Sequence, residues 1–124
     1  METKRRRLIM VDDDRTNLIV ARGMLIDKYD ILTVTSGEKL FGLLEKVVPD
    51  LILLDIEMPE MNGHEVIKQL KNSERTAHIP VIFLTALNNP GSEDEGLKLG
   101  ASDYVYKPFS QEVLLESVEK HLPT

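Results

Sequence analysis

The chain has 124 residues, a formal net charge of −6 and 42% hydrophobic residues, a composition typical of one soluble domain with a proper core. It contains no cysteine, so disulfide scaffolds, zinc–thiolate sites and cysteine nucleophiles are excluded, and a cytoplasmic location is expected. The acidic balance argues against direct nucleic-acid binding, and the apolar runs are too short to cross a bilayer.

Four basic residues at positions 4–7 precede the first apolar segment. Together the two resemble the start of an export signal, but three aspartates at 12–14 end the apolar run after four residues. We therefore predict no export signal and interpret the basic run as the solvated start of a strand. Asp14 or Thr16 can cap the helix that follows.

Five apolar segments of strand length alternate with five segments of helical periodicity. The predicted strands are 7–11, 31–34, 51–54, 79–84 and 103–106, and the predicted helices are 16–29, 38–48, 63–72, 92–100 and 110–122. Strict alternation of this kind requires a parallel sheet whose right-handed crossovers cover both faces. The sequence thus predicts a three-layer α/β/α sandwich, with residues 1–124 forming a single domain.

Two of these helices are predicted to be weak. Gly42 lies inside the second helix, where glycine costs about 1 kcal/mol relative to alanine. Residues 88–91 are interpreted as a loop, Ser92 as the N-cap of the fourth helix and Gly100 as its stop. The acidic run 93–95 predicts that the fourth helix starts late or frays.

The third strand is the centre of the chain. It is continuously apolar and places one carboxylate, Asp55, at its C-terminal end, before a turn at residues 59–63. Ligands of open α/β sheets bind at this edge, because the loops that leave the strands form a crevice there. We therefore predict that Asp55 is the reactive group.

The same edge is predicted to collect Asp12, Asp13, Thr85 and Lys107 from neighbouring strands. Crowded carboxylates repel one another, and their oxygens are the ligands that Mg²⁺ prefers. A carboxylate beside Mg²⁺ can attack a phosphoryl group, while an ammonium and a hydroxyl stabilise the transferred oxygens. Each residue alone is more simply a turn, cap or surface residue. The combination, however, predicts phosphoryl transfer.

At these motifs the chain resembles a response-regulator receiver domain of two-component signalling, over essentially its whole length. The matching motifs are residues 8–13 (LIMVDD), 49–63 (PDLILLDIEMPEMNG), 79–86 (IPVIFLTA) and 100–109 (GASDYVYKPF). The resemblance implies a flavodoxin-like fold with strand order 2-1-3-4-5.

The resemblance also implies a role for each acidic residue of the edge. Asp55 would accept a phosphoryl group from a histidine kinase or a histidine phosphotransfer protein. Asp13, Asp55 and the backbone carbonyl of Glu57 would ligate Mg²⁺, for which Mn²⁺ could substitute. Asp12 would hold the waters of the metal.

Further roles are implied on the other strands. Thr85 and Lys107 would contact the phosphate, and the bond between Lys107 and Pro108 is expected to be cis. The switch of the family couples a movement of Thr85 to an inward turn of an aromatic ring, here Tyr104, and the output surface would be the face of the fourth helix, fifth strand and fifth helix. Glu57 and Leu87 occupy positions that tend to tune the lifetime of the phosphoryl group.

Two other classes of protein fit part of the sequence. Residues 12–16 match the D-x-D-x-T signature of haloacid-dehalogenase-like phosphatases, in which Asp12 would be the nucleophile and Asp14 the acid. That class needs further acidic metal ligands after the lysine, and beyond Lys107 only acids of an amphipathic helix are found. A flavin binder is disfavoured because the aspartates after the first strand would repel the flavin phosphate.

The receiver interpretation predicts a signalling switch rather than an enzyme, with only self-phosphorylation and self-dephosphorylation as chemistry. Its partners would be a phosphodonor and an effector domain or downstream protein, without nucleic acid or membrane, and a homodimer is possible. The last predicted helix could continue as a linker, so we expect a receiver cut from a longer regulator rather than a stand-alone one.

Overall fold

The computed structural model describes residues 5–86 and 92–123, with the side chains of residues 92 and 93 left out. Five strands and five helices alternate along these described residues. The strands are β1 (Arg7–Val11), β2 (Asp30–Val34), β3 (Leu51–Asp55), β4 (Val81–Ala86) and β5 (Asp103–Lys107). The helices are α1 (Arg15–Leu25), α2 (Gly37–Leu44), α3 (Gly63–Lys71), α4 (Ser92–Lys98) and α5 (Gln111–His121).

All strand pairs are parallel, and the order in the sheet is β2-β1-β3-β4-β5, as predicted. The helices cover both faces, so the predicted three-layer sandwich is confirmed. One buried cluster joins the sheet to α1 and α5, and the other joins it to α2, α3 and the residues just after α4. None of the described helices is long and apolar enough to cross a membrane.

The alternation of side chains along each strand decides which face a residue serves. In β3, Leu51 and Leu53 pack on the α1/α5 side, whereas Ile52 and Leu54 pack on the opposite side. Asp55 continues this alternation toward the α1/α5 side. The same parity applies to the ends of β1 and β5, and it positions the site described below.

Several predicted helix ends differ from the structure. Helix α1 ends at Leu25 rather than at residue 29, because the chain turns there and the Asp30 N–H donates to the Arg6 carbonyl at the start of β2. Helix α2 ends at Leu44 rather than at residue 48. The N–H groups of Lys46 and Val47 both donate to the Leu43 carbonyl in a terminal turn, and Pro49 disfavours a helical conformation at residue 48.

Strand β4 begins at Val81 rather than at residue 79. Pro80 has no N–H to donate to a ladder, although its carbonyl accepts a hydrogen bond from the Ile52 N–H at 3.0 Å. Strand β4 also extends through Thr85 to Ala86, so Thr85 lies within the strand and not after it.

Of the two candidate caps of α1, Asp14 is the one used: its carboxylate accepts from the N–H groups of Thr16 and Asn17 at 2.8 and 3.4 Å. Of the basic run, Arg5 and Arg7 are exposed and Arg6 is half-buried, and the Arg6 side chain donates to the Pro123 carbonyl. The predictions for Lys4, Leu87, the loop at 88–91 and the Ser92 side chain lie outside the described residues.

Candidate functional site

The candidate site lies at the carboxyl ends of β1 and β3, which are neighbours in the sheet. Val11 pairs with Leu54, so Asp12 and Asp55, each one residue further along, lie at the same level. Their side chains are buried, at 1% and 6% exposure, whereas Asp13 is exposed. Carboxylate oxygens of Asp12, Asp13 and Asp55 lie within 4.8 Å of one another. The structure therefore groups the three predicted acids.

Lys107 brings a positive charge to this group from the edge strand β5. Its Nζ lies 3.1 Å from Asp12 Oδ2 and 3.3 Å from Asp55 Oδ1. Strand β5 does not pair with β3, so the long side chain reaches past β4 on the α1/α5 side of the sheet. The bond that follows, between Lys107 and Pro108, is cis, as predicted.

The crowding of charge shifts the pKa values of the site. Burial, and next the repulsion from Asp12, raise the pKa of Asp55 to about 7, although Lys107 acts in the opposite direction. Burial alone would lower the pKa of Lys107, but the neighbouring carboxylates of Asp55 and Asp12 outweigh it and raise the pKa. Lys107 pairs with only two of the three acids, Asp12 and Asp55, so ionisation of all three leaves a net negative charge that attracts a cation.

Asp14 does not join this group through its carboxylate, which is used to cap α1. Its backbone N–H donates to Asp12 Oδ1 at 2.9 Å and so fixes the orientation of the Asp12 side chain. The arrangement disfavours the dehalogenase-like interpretation, in which Asp14 would have to act as the acid.

Thr85 lies at the same edge of the sheet, but the structure does not bring its hydroxyl into the ionic group. Thr85 is buried, and its hydroxyl faces the Ala86 carbonyl at 3.5 Å, the long limit of a hydrogen bond. It follows Leu84, the partner of Asp55 in the β3–β4 ladder. Glu57 is in the loop after β3, with an exposed side chain.

Tyr104 lies on the other face of the sheet from Asp55 and Lys107. It pairs with Phe83 in the β4–β5 ladder, and the two ring centroids are 5.4 Å apart. Tyr104 is half-buried and packs against the cluster formed with α2 and α3.

Sequence reasoning missed an apolar cavity that adjoins the ionic group. The cavity has a volume of about 280 Å³, and Asp12 and Lys107 line it together with Val20, Met24 and Phe109. The four-residue spacing of Val20 and Met24 on α1 was the feature of the sequence that could have indicated an apolar surface here.

A second missed feature ties α5 to the start of β5. The Asp103 carboxylate accepts from the Ser117 hydroxyl at 3.0 Å and lies 3.0 Å from His121 Nε2. Burial would raise the pKa of Asp103, but these groups and the Tyr104 N–H together lower it. Ser117 and His121 are one helical turn apart on α5. This spacing predicts that they share a face of the helix, but it does not identify Asp103 as their common partner.

Comparison with known proteins agrees with this geometry. The family model described as "Response regulator receiver domain" matches residues 8–119. A protein of Vibrio cholerae named "Probable cyclic di-GMP phosphodiesterase" is 45% identical over 115 residues, which are 93% of this chain and 26% of that protein. The chain spans between about a quarter and a half of the length of the curated relatives it matches.

Two solved structures illustrate the likeness of the fold. The chemotaxis protein CheY4 of Vibrio cholerae superposes with a TM-score of 0.90 at 28% identity, covering 96% of this chain and 100% of that one. The receiver domain of the sensor histidine kinase PA1611 from Pseudomonas aeruginosa, which has magnesium coordinated in its active-site cleft, gives 0.85 at 26% identity, covering 94% and 97%. The family match, the strand order and the acidic edge agree, and the chain belongs to the response-regulator receiver domains of two-component signalling.

Proposed function

We propose that Asp55 is the phosphoacceptor of this receiver domain and that it works with a divalent cation held at the same edge. The observation that carries the proposal is the grouping of three carboxylates within 4.8 Å of one another, two of which, those of Asp12 and Asp55, contact the ammonium of Lys107. Asp55 is central to this group because it contacts Lys107 and ends the buried central strand.

The cation we propose is Mg²⁺, ligated by Asp13, Asp55 and the backbone carbonyl of Glu57, with Asp12 holding its waters. Hard carboxylate oxygens suit Mg²⁺, and the magnesium ion in the active-site cleft of the PA1611 receiver supports a divalent cation at this edge. When bound, the ion supplies positive charge that favours the ionised carboxylates and the transferred phosphoryl oxygens. Its replacement by Mn²⁺ is a prediction that rests on the family resemblance.

The proposed step is an in-line transfer. A carboxylate oxygen of Asp55 attacks the phosphorus of a phosphohistidine, an O–P bond forms, and the P–N bond breaks with its electron pair passing to the histidine nitrogen, which takes up a proton. Lys107, 3.3 Å from the attacking carboxylate, is placed to contact the transferred oxygens. Thr85 would contribute its hydroxyl after turning away from the Ala86 carbonyl.

The test is intact-mass measurement after incubation with acetyl phosphate and Mg²⁺. We expect one phosphoryl-sized gain in the wild type and none in Asp55→Asn or without metal. Asp14→Asn is the matched control: it makes the same change two residues from Asp12, and asparagine still caps a helix, so it should be phosphorylated like the wild type. A gain that persists in Asp55→Asn but disappears in Asp12→Asn would favour the phosphatase-like alternative.

We infer that a histidine-containing phosphodonor approaches over α1. Val20 is 53% exposed and lines the apolar cavity that opens beside Asp12 and Lys107, so a partner seated there would reach the acceptor edge. Val20→Asp should slow transfer from a histidine kinase selected for transfer to the wild-type chain and leave transfer from acetyl phosphate unchanged.

Val48→Asp is the control for this docking face. Val48 is similarly exposed, at 58%, but it precedes β3 and so lies at the opposite edge of the sheet. Equal slowing by both substitutions, or slowing with acetyl phosphate, would contradict docking over α1. An output through α4, β5 and α5, a cytoplasmic location and dimer formation stay predictions of the family resemblance.

A further inference from the structure

Helix α4 passes directly over the ring of Tyr104, and Gly96 is the residue at the crossing. A Cβ atom built on Gly96 would overlap the Tyr104 hydroxyl oxygen and would lie 2.9 Å from Tyr104 Cζ and 2.7 Å from Phe83 Cε2. Real Cβ atoms essentially never approach other heavy atoms this closely. The present position of the Tyr104 ring therefore requires that residue 96 has no side chain.

The backbone of α4 does not itself call for glycine at this place. Gly96 lies within a helix, where glycine is a poor residue because of its conformational freedom. By contrast, Gly100, just after the helix, has a positive φ of 111° that favours glycine. Packing against the two rings is therefore the physical reason that glycine fits at position 96.

We propose that Gly96 is a positioning residue that seats Tyr104 beneath α4 and thereby sets the shape of the surface between α4 and β5. A side chain at position 96 would displace the Tyr104 ring toward solvent. Because Tyr104 and the pair Asp55 and Lys107 lie on opposite faces of the sheet, the displacement would leave the acceptor edge intact. The consequence for signalling rests on the proposed phosphorylation of Asp55 and on the switch role that the family resemblance implies for Tyr104.

The ring of Phe83 is held more firmly than the ring of Tyr104, so a side chain at position 96 would displace Tyr104 first. It is fully buried, and a Cβ on Gly63 would lie 2.9 Å from its Cε1, so α3 and α4 hold the Phe83 ring from two sides. His64 adds an edge-to-face contact with a centroid distance of 5.5 Å. Tyr104 is only half-buried and has solvent to move into.

The experiment is ¹⁹F NMR of the unphosphorylated full chain labelled with 3-fluorotyrosine. The chain has three tyrosines, so single Tyr→Phe variants assign each resonance. In Gly96→Ala we expect the Tyr104 resonance to move toward the value of free fluorotyrosine. Gly23→Ala and Gly42→Ala are matched controls, because a Cβ at either helical position meets nothing within 4 Å. Both should leave the Tyr104 resonance in place.

A thermal double-mutant cycle covers the case in which Gly96→Ala is too unstable for NMR. We expect Gly96→Ala to lower Tm in the wild-type background and to lower it less in a Tyr104→Ala background, where only the overlap with Phe83 remains. An unmoved Tyr104 resonance in folded Gly96→Ala, or equal losses of Tm in both backgrounds, would overturn the proposal.

The same variants separate this inference from the proposed function. Intact-mass measurement after acetyl phosphate treatment should show that Gly96→Ala is fully phosphorylated. In the wild type, phosphorylation should shift the Tyr104 resonance, and in Gly96→Ala this shift should be lost. If the wild type takes up no phosphate at Asp55, the proposed function fails, whereas the seating of Tyr104 is still decided by the unphosphorylated samples.

Discussion

Lys107 Nζ lies 3.3 Å from Asp55 Oδ1, although 52 positions separate the two residues in the chain. Their strands are not neighbours either, since β4 lies between β3 and β5. The contact exists because both residues end their strands with side chains on the α1/α5 side of the sheet, and because a lysine is long enough to cross one strand. This ion pair therefore offsets part of the negative charge at this edge of the sheet.

Removal of that ammonium should destabilise the metal-free protein in a pH-dependent way. In Lys107→Met, the buried carboxylates of Asp12 and Asp55 face each other without a cation, so their joint ionisation at pH 8 becomes costly. At pH 5 Asp55 is largely protonated and the loss should be smaller. We expect about 2 kcal/mol more destabilisation at pH 8 than at pH 5 by urea unfolding, reduced from the fully buried case because the edge is open to water. The exposed Lys98→Met is the control, and equal losses at both pH values would contradict the electrostatic account.

Neutralising Asp55 should instead stabilise the metal-free protein. The pKa of Asp55 is raised in the folded state from 3.8 to about 7, so the folded state binds the proton more tightly. The stability that comes from this tighter proton binding is complete below the unfolded pKa of 3.8 and is lost as the pH rises through about 7. Asn stays neutral, so without Mg²⁺ Asp55→Asn should stabilise the protein more at pH 8 than at pH 5, by about 2 kcal/mol after allowance for solvent screening. Urea unfolding at the two pH values measures this difference, and no difference would mean that Asp55 ionises normally.

The sequence predicted the elements that make the site, because their signals are local. Apolar runs the length of buried strands marked β1, β3, β4 and β5, and each polar site residue directly follows or ends such a run. Parallel strands share an edge, so the grouping of Asp12, Asp13 and Asp55 could be expected without coordinates. The strand order itself came from the family resemblance.

What the sequence did not predict depends on contacts between distant residues. The close packing of Gly96 on Tyr104 depends on the angle at which α4 crosses the sheet, and no pattern in the chain encodes that angle. The same applies to Asp103 with His121, which join β5 to α5 across 18 positions. The end of α1 at Leu25 was also missed, because apolar spacing continues into Tyr29, whose ring is buried after the turn.

Mg²⁺ should stabilise the folded protein through the acidic group. A ligand at a hundred times its Kd adds about 2.7 kcal/mol when it binds the folded state alone. We therefore expect Tm to rise by several degrees with added Mg²⁺ in the wild type, and to rise much less in Asp13→Asn, which removes one oxygen ligand. Asp27→Asn, an exposed aspartate outside this group, should respond like the wild type. An equal rise in Asp13→Asn would remove Asp13 from the metal site.

The contact between Asp103 and His121 should stabilise the protein only where Asp103 is ionised. Burial opposes ionisation, but hydrogen bonds from Tyr104, Ser117 and His121 lower the pKa of Asp103, so its contribution is present above the unfolded value of 3.8 and is lost as the pH falls through the folded value. His121→Gln should cost about 0.5–1 kcal/mol at pH 6 and less at pH 3, because the pair is partly exposed. Chemical unfolding at both pH values tests this, with the exposed His78→Gln as control. A loss independent of pH would indicate packing rather than ionisation.

Glycines inside the helices should divide into two kinds when changed to alanine. Gly42 lies within α2, and a Cβ there meets nothing within 4 Å, so Gly42→Ala should stabilise by about 0.5–1 kcal/mol through the smaller entropy of the unfolded chain. At Gly63, the first residue of α3, a Cβ would lie 2.7 Å from the Asp55 carbonyl oxygen and 2.8 Å from Ile56 Cα. Both neighbours are backbone atoms that cannot turn aside, so Gly63→Ala should destabilise by about 2 kcal/mol and strain the end of β3. Thermal unfolding of both variants, followed by acetyl phosphate labelling of folded Gly63→Ala, decides the point. If Gly63→Ala matched Gly42→Ala in stability and labelling, the close packing of α3 against β3 would not contribute to the stability of the protein.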